Sequence, residues 1–346
     1  MKKFSNVLVG TALVCAAVLM FPATASAAPG GKVQGTPDRA VATEKYRSVE
    51  GLLDTPVGWN GSLEGCQAGS TSQANKDASL TMLNYVRGLA GLRPVSLDKK
   101  YSKFAQDAAL ISTANGYLTH FPDKSASCYT KSGYRGASKS NLSLSWGYGD
   151  DELSPATGSR TVIGYMDDDG VNNVEVGHRR WLMYPALKKV GFGDTNTSNA
   201  TYVVGDFRRN AKSKWVAWPT AGYFPREIEP EGRWSLSYAN ADFTKATVRV
   251  TTRTGAFTIK PKSGSFDETH QARVVSASGT RATKYGDSTI VWDWMLPEWF
   301  TDDPQAEMPV TVKVSGIRVN GNKVTKQWTT TLFPASAEAT ANPSNP

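Results

Sequence analysis

The spacing of apolar residues changes period partway along this chain, and that change limits it to a mixed helix-and-strand half followed by an all-strand half. Leu80, Leu83, Val86 and Leu89 recur at helical spacing, with Gly91 as a stop. Tyr101, Phe104, Ala105, Ala108, Ile111 and Ala114 predict a second helix, capped near Ser96 and ended by Asn115-Gly116. Residues 121–160, rich in Ser, Gly, Lys and Asp, read as loops. Helices are expected near 159–167 and 177–184, then strands over 189–193 and 200–207. Past residue 232 the period becomes two. Ala246, Val248 and Val250 alternate with Thr247, Arg249 and Thr251, and Val310, Val312 and Val314 repeat the pattern. Ile317 and Val319 lead into Asn320-Gly321-Asn322, a hairpin signal, followed by Val324, Trp328, Thr330 and Leu332. Short strands with frequent turns predict a β-sandwich.

At 346 residues the chain exceeds one typical core, so two domains are expected. Residues 1–27 read as a secretory signal peptide: Lys2 and Lys3, an uncharged apolar run from Val7 to Phe21, then a small-residue cut at Ala25-Ser26-Ala27. That order places the protein outside the cytoplasm of a bacterium, secreted. The expected divisions are an N-terminal arm at 28–69, a mixed domain at 70–212 and a Pro/aromatic linker at 213–232. A β domain at 233–334 and a disordered tail at 335–346 follow. No segment of the mature chain is long and apolar enough to span a bilayer.

The net charge is +8, from 39 basic and 31 acidic residues, and the basic residues are scattered without a dense run. That argues against nucleic-acid binding. A mild positive field favours anionic wall polymers or anionic lipids. Cys15 leaves with the leader, and Cys66 and Cys128 remain as an even pair in an oxidising compartment, so they are expected to form a disulfide.

Leu83-Asn84-Tyr85-Val86-Arg87, then Leu92-Arg93-Pro94-Val95, Leu118-Thr119-His120, and Gly177-His178-Arg179-Arg180-Trp181-Leu182 before Val190-Gly191-Phe192-Gly193 occur in one order. Together they make residues 70–208 resemble a bacterial, SCP-like member of the CAP superfamily (cysteine-rich secretory proteins, antigen 5, pathogenesis-related 1). The resemblance implies a three-layer α-β-α sandwich; with the all-β, Ig-like sandwich domain expected from the period-two half, which lies outside the resemblance, the fold class is α+β. It also implies a cleft with two histidines and two acids. His178 matches the His of the Gly-His signature and His120 the earlier one. Asp168 matches one acid, and Ser140 stands where the other is expected.

Two neutral imidazoles and one carboxylate from separate elements match an open divalent-metal site, such as zinc, or a pH-responsive cluster. Glu175, three residues before His178, is a substitute for the missing acid, and Arg179 with Arg180 could hold an anion. Asp167-Asp168-Asp169-Gly170 fails the EF-hand spacing, and no Gly-x-Ser-x-Gly elbow or phosphate loop is present. Trp292, Trp294 and Trp299 are a candidate surface platform in the β domain, and His270 reads as a solvated loop residue. The expected function is non-enzymatic binding of a metal, a small hydrophobic, lipid-like ligand or a cell-envelope component in the cleft. The rivals are a metal-dependent wall hydrolase and an adhesion module using the β-domain aromatics.

Overall fold

The computed structural model describes residues 31–146, 154–262, 271–275 and 286–336. The expected signal peptide 1–27, His270 and the tail from 337 lie outside the described residues.

The first half carries strand β1 (Gly35–Thr36) and helices α1 (Arg39–Glu50), α2 (Gln73–Leu89) and α3 (Lys99–Asn115). Helices α4 (Lys131–Ala137), α5 (Arg160–Asp167) and α6 (Gly177–Leu182) follow. Side-chain caps start the long ones: Asp38 accepts from Val41 N, Ser72 from Asn75 N, and Asp98 from Lys100 N and Tyr101 N. The cap of α3 is thus Asp98 and not the expected Ser96, which belongs to strand β2 (Ser96–Leu97). Gly116, with φ 70°, closes α3 as its sequence predicts.

Strands β3 (Ser140–Leu144), β4 (Lys189–Asp194) and β5 (Ser198–Tyr202) join β2 in a sheet of order β2-β4-β5-β3. Alternation along β4 explains how helices cover both faces. Val190 and Phe192 meet Leu83 and Val86 of α2, Val162 and Met166 of α5, and Leu182 of α6 in one buried cluster. Gly191 and Gly193 face the other way, against α3, where a Cβ on Gly193 would come within 2.1 Å of Gln106 N. Ala105, Ala108, Ala137, Ala200 and Tyr202 close that side. The stretch expected as loop therefore contains α4 and β3. α4 lacks an apolar stripe; it is held because Gly136 lies against the Phe104 carbonyl, where a Cβ would come within 1.9 Å.

The second half contains β6 (Val216–Trp218), β7 (Ala221–Pro225), β8 (Arg233–Tyr238), β9 (Ala241–Asp242), β10 (Thr247–Thr252) and β11 (Gly255–Ile259). Then come β12 (Gln271–Val275), β13 (Ser288–Asp293), the short helix α7 (Glu298–Thr301), β14 (Met308–Val319) and β15 (Asn322–Phe333). One sheet has the order β12-β13-β8-β6 and the other β1-β7-β15-β14-β10-β11, with β9 paired to β14. The β14–β15 hairpin turns at Asn320 and Gly321, both at positive φ, as the Asn-Gly signal predicts. Trp292 of β13 meets Trp328 of β15 at 6.3 Å, so the two sheets share a core. Trp292 and Trp294 are buried there, which removes them as a surface platform; Trp299 is half-buried under Arg253.

The stretch 213–232, read as a linker, carries β6, an edge strand of one sheet, and β7, next to the edge of the other. The residues read as an arm contribute β1, which pairs with β7, and α1, whose Arg39 meets Glu307 at 2.6 Å. One buried apolar cluster runs through both halves. Cys66 and Cys128 are disulfide-bonded, as their count predicts.

Candidate functional site

Two adjoining cavities of about 610 and 670 Å³ open between the loop after α3, strand β3 and the segment from α5 to α6. Both are lined by His120, Asn172, Asn173 and His178, so they form two lobes of one cleft. Ser140, Glu175 and Trp181 line the first lobe, and Leu142 and Tyr165 the second.

Each histidine is oriented by its Nδ1. That of His120 lies 2.8 Å from the Ala137 carbonyl, which can only accept, so Nδ1 carries the proton. That of His178 donates to Asp168 Oδ1 at 2.6 Å. Among the described residues neither Nε2 has a hydrogen-bond partner, and both rings line the cleft. The backbone dictates the second contact. Asp168 ends α5 in the left-handed region at φ 50°, which turns its side chain toward the start of α6. Its Oδ2 accepts from Arg179 N at 3.0 Å, so both carboxylate oxygens are engaged. The His178 ring also lies against Tyr165, with centroids 4.9 Å apart. Burial raises the Tyr165 phenol well above its usual range, and its hydroxyl donates to Asn199.

Ser140, in the position expected for an acid, is buried, and its Oγ has no hydrogen-bond partner among the described residues. Glu175 lines the first lobe but is exposed. Arg179, expected to face an anionic ligand, turns away from the cleft. Its guanidinium donates to the carbonyls of Met166, Asp167 and Arg233 and to Ser235 Oγ. Burial pulls it down to about 10, against the pull of Asp168 and Asp167, so it stays charged at neutral pH. Arg180 likewise reaches across to Thr289 Oγ1 and the Asp287 carbonyl.

The divalent-metal expectation can be tested on these donors. Asp168 has spent both oxygens on His178 and Arg179 N, leaving two imidazole edges. Among the described residues no three His, Cys, Asp or Glu side chains converge. The residues therefore do not fit the three protein ligands of an open zinc site.

Several contributors were not singled out from sequence. Asn172 and Asn173 lie in both lobes, and their signal was only a polar pair shortly before Gly177-His178. Arg233 of β8 donates to the carbonyls of Asp168 and Gly170, so the second half buttresses the loop that holds Asp168. Glu229 accepts from Gly232 N and Trp234 Nε1, and burial lifts its carboxyl to about 7. Burial likewise lifts Asp167 to about 7, with Arg179 opposing. Arg233 carries no local signal because its acceptors lie more than sixty residues away.

Residues 80–207 match the model of the cysteine-rich secretory protein family, CAP. Comparison with curated proteins and with solved structures found no match.

Proposed function

We propose, from the match of residues 80–207 to the CAP family, that this chain is a secreted, non-enzymatic protein with a CAP domain whose cleft holds an amphipathic envelope ligand. The observation that carries this reading is the pair of imidazoles, each fixed at Nδ1 and, among the described residues, unpartnered at Nε2, beneath a rim bearing Leu118 and Phe121. Two hydrogen-bonding edges below an apolar rim suit a ligand with one polar end and one apolar body. The neutral Ser140 at the expected acid position keeps the floor from repelling a neutral or anionic head. The His178–Asp168 pair is not coupled to a nucleophile, because Ser140 Oγ is not hydrogen-bonded to it. Within the same reading the first half is a three-layer α-β-α unit and the second an Ig-like sandwich that buttresses it through Arg233.

Fluorescence titration of the purified protein with a fluorescent fatty acid tests this. Saturable binding is expected, weakened about tenfold in His120→Ala and in His178→Ala, the scale of one lost hydrogen bond to a buried polar group. Equal affinity in the parent and both variants would remove the cleft assignment.

A further inference from the structure

Apolar side chains stand exposed on both sides of the cleft mouth. Leu118 and Phe121 lie on the loop after α3, and Phe121 is 70% exposed. Val171, 79% exposed, precedes Asn172 on the opposite wall. Trp146, 64% exposed, follows β3 and lies beside Gly116, next to the exposed Tyr117. The Phe121 ring is 6.4 Å from that of Tyr134, which shares an exposed face of α4 with Lys131 and Arg135.

The charge on the side of the mouth formed by the loop after α3 and by α4 is mainly positive, whereas the exposed Asp169 and Glu175 flank Val171 on the opposite wall. From 117 to 146 there are four cations, Lys124, Lys131, Arg135 and Lys139, and one anion, Asp123. Asp123 Oδ1 is occupied by Ser125 N and Oγ. The loop that carries Leu118, Phe121 and Lys124 is also fixed in advance. Cys128 ties it to Cys66, and Asn115 both donates to and accepts from the Ser127 backbone at 2.9 Å. A preformed surface has little ordering entropy to lose on docking.

We propose that this face docks on an anionic lipid surface with the cleft mouth turned toward it. Aromatic rings alone would serve a glycan equally well. Leu118 and Val171 decide between them, because an aliphatic side chain offers a sugar no stacking face but does partition into the headgroup and acyl boundary. Exposed apolar residues with cations beside them, as Leu118, Phe121 and Tyr134 have in Lys124, Lys131 and Arg135, are the chemistry of interfacial binding. This goes beyond the cleft reading, since docking requires no occupant in the cleft.

The test is co-sedimentation of the purified protein with phosphatidylglycerol or phosphatidylcholine vesicles at about 0.1 M and about 0.5 M salt. Binding to the anionic vesicles alone is expected, weaker at high salt. Trp146→Ser combined with Val171→Ser should weaken it about tenfold or more. Lys124→Glu combined with Lys131→Glu should weaken it about fivefold or more for each cation removed. All four positions are exposed, and an unchanged urea midpoint checks that each variant folds. His178→Ala should sediment like the parent, so loss of the cleft ligand and loss of docking are read separately. Three results would overturn the proposal. One is no association with phosphatidylglycerol, including the case of retention only on isolated wall glycan. Another is loss with the lysine pair while the Trp146 and Val171 pair has no effect, which would mean charge attraction without apolar contact. The third is equal loss in His178→Ala, which would mean that the cleft's occupant makes the contact.

Discussion

Glu229 makes the stability of the fold depend on pH, and the sign is opposite to that of a typical surface carboxylate. Burial lifts its carboxyl from 4.5 to about 7, even though Trp234 Nε1, Gly232 N and Arg179 all favour the ionised form. The folded protein therefore holds a proton that the unfolded chain releases near its ordinary value. The associated stability is fully present below about pH 4.5 and is lost as pH rises through about 7. The full exchange is about 3 kcal/mol at 1.36 kcal/mol per pH unit, and at least about 2 kcal/mol of it falls between pH 5 and pH 8. Glu229→Gln keeps an oxygen for Gly232 N and Trp234 Nε1 and removes the proton. Urea unfolding of parent and variant at pH 5, 6, 7 and 8 should therefore show the parent losing about 2 kcal/mol more than the variant across that range. Asp167 adds to the parent slope in the same direction, and the Glu229 charge raises it further, so the difference reports Glu229 together with its coupling to Asp167. Parallel pH profiles would refute the reasoning, because they would mean that Glu229 is ionised in the folded protein at little cost.

Replacing Cys66 and Cys128 together by Ser should cost about 4 kcal/mol for a closed loop of 62 residues, read as a lower urea midpoint that reducing agent reproduces in the parent. Gly193→Ala should lower the melting temperature by an amount corresponding to about 3 kcal/mol, because its Cβ would meet the Gln106 backbone at 2.1 Å and a helix backbone does not yield as a side chain does.

Much of the fold was legible because the elements that form it are regular and long. The stripe of α2, the Asn115-Gly116 stop and the alternating valines of β10 and β14 all repeat a period over many residues. The elements missed were short or lacked a pattern. α4 is a helix of seven residues with two glycines, stabilised by fit against α3 and not by an apolar stripe. β6 and β7 lie among prolines, which read locally as a linker, yet the sheets take them in at their margins. The site shows the same division. His120 and His178 were legible as residues, and the cleft brings both together. The direction of Arg179 was not legible, because its acceptors include Arg233 and Ser235, more than fifty residues away. The burial of Trp292 and Trp294 was hidden for the same reason: a strand's period identifies a face but not what covers it.

Strand β1 pairs in parallel with β7, which pairs in parallel with β15, and Lys326 donates to the Gly31 carbonyl at 2.7 Å. The first described residues and the last strand thus reach the same sheet from opposite ends of the polypeptide. A chain delivered from its N-terminus has no docked β7 to receive β1 until β15 has emerged beside it. Helix α1 can pack on α2, where Tyr46 meets Tyr85, but β1 gains its sheet neighbour only when β7 is held by β15. A truncation that removes β15 should therefore free β1 as well, and release the beginning of the chain by cutting off its end.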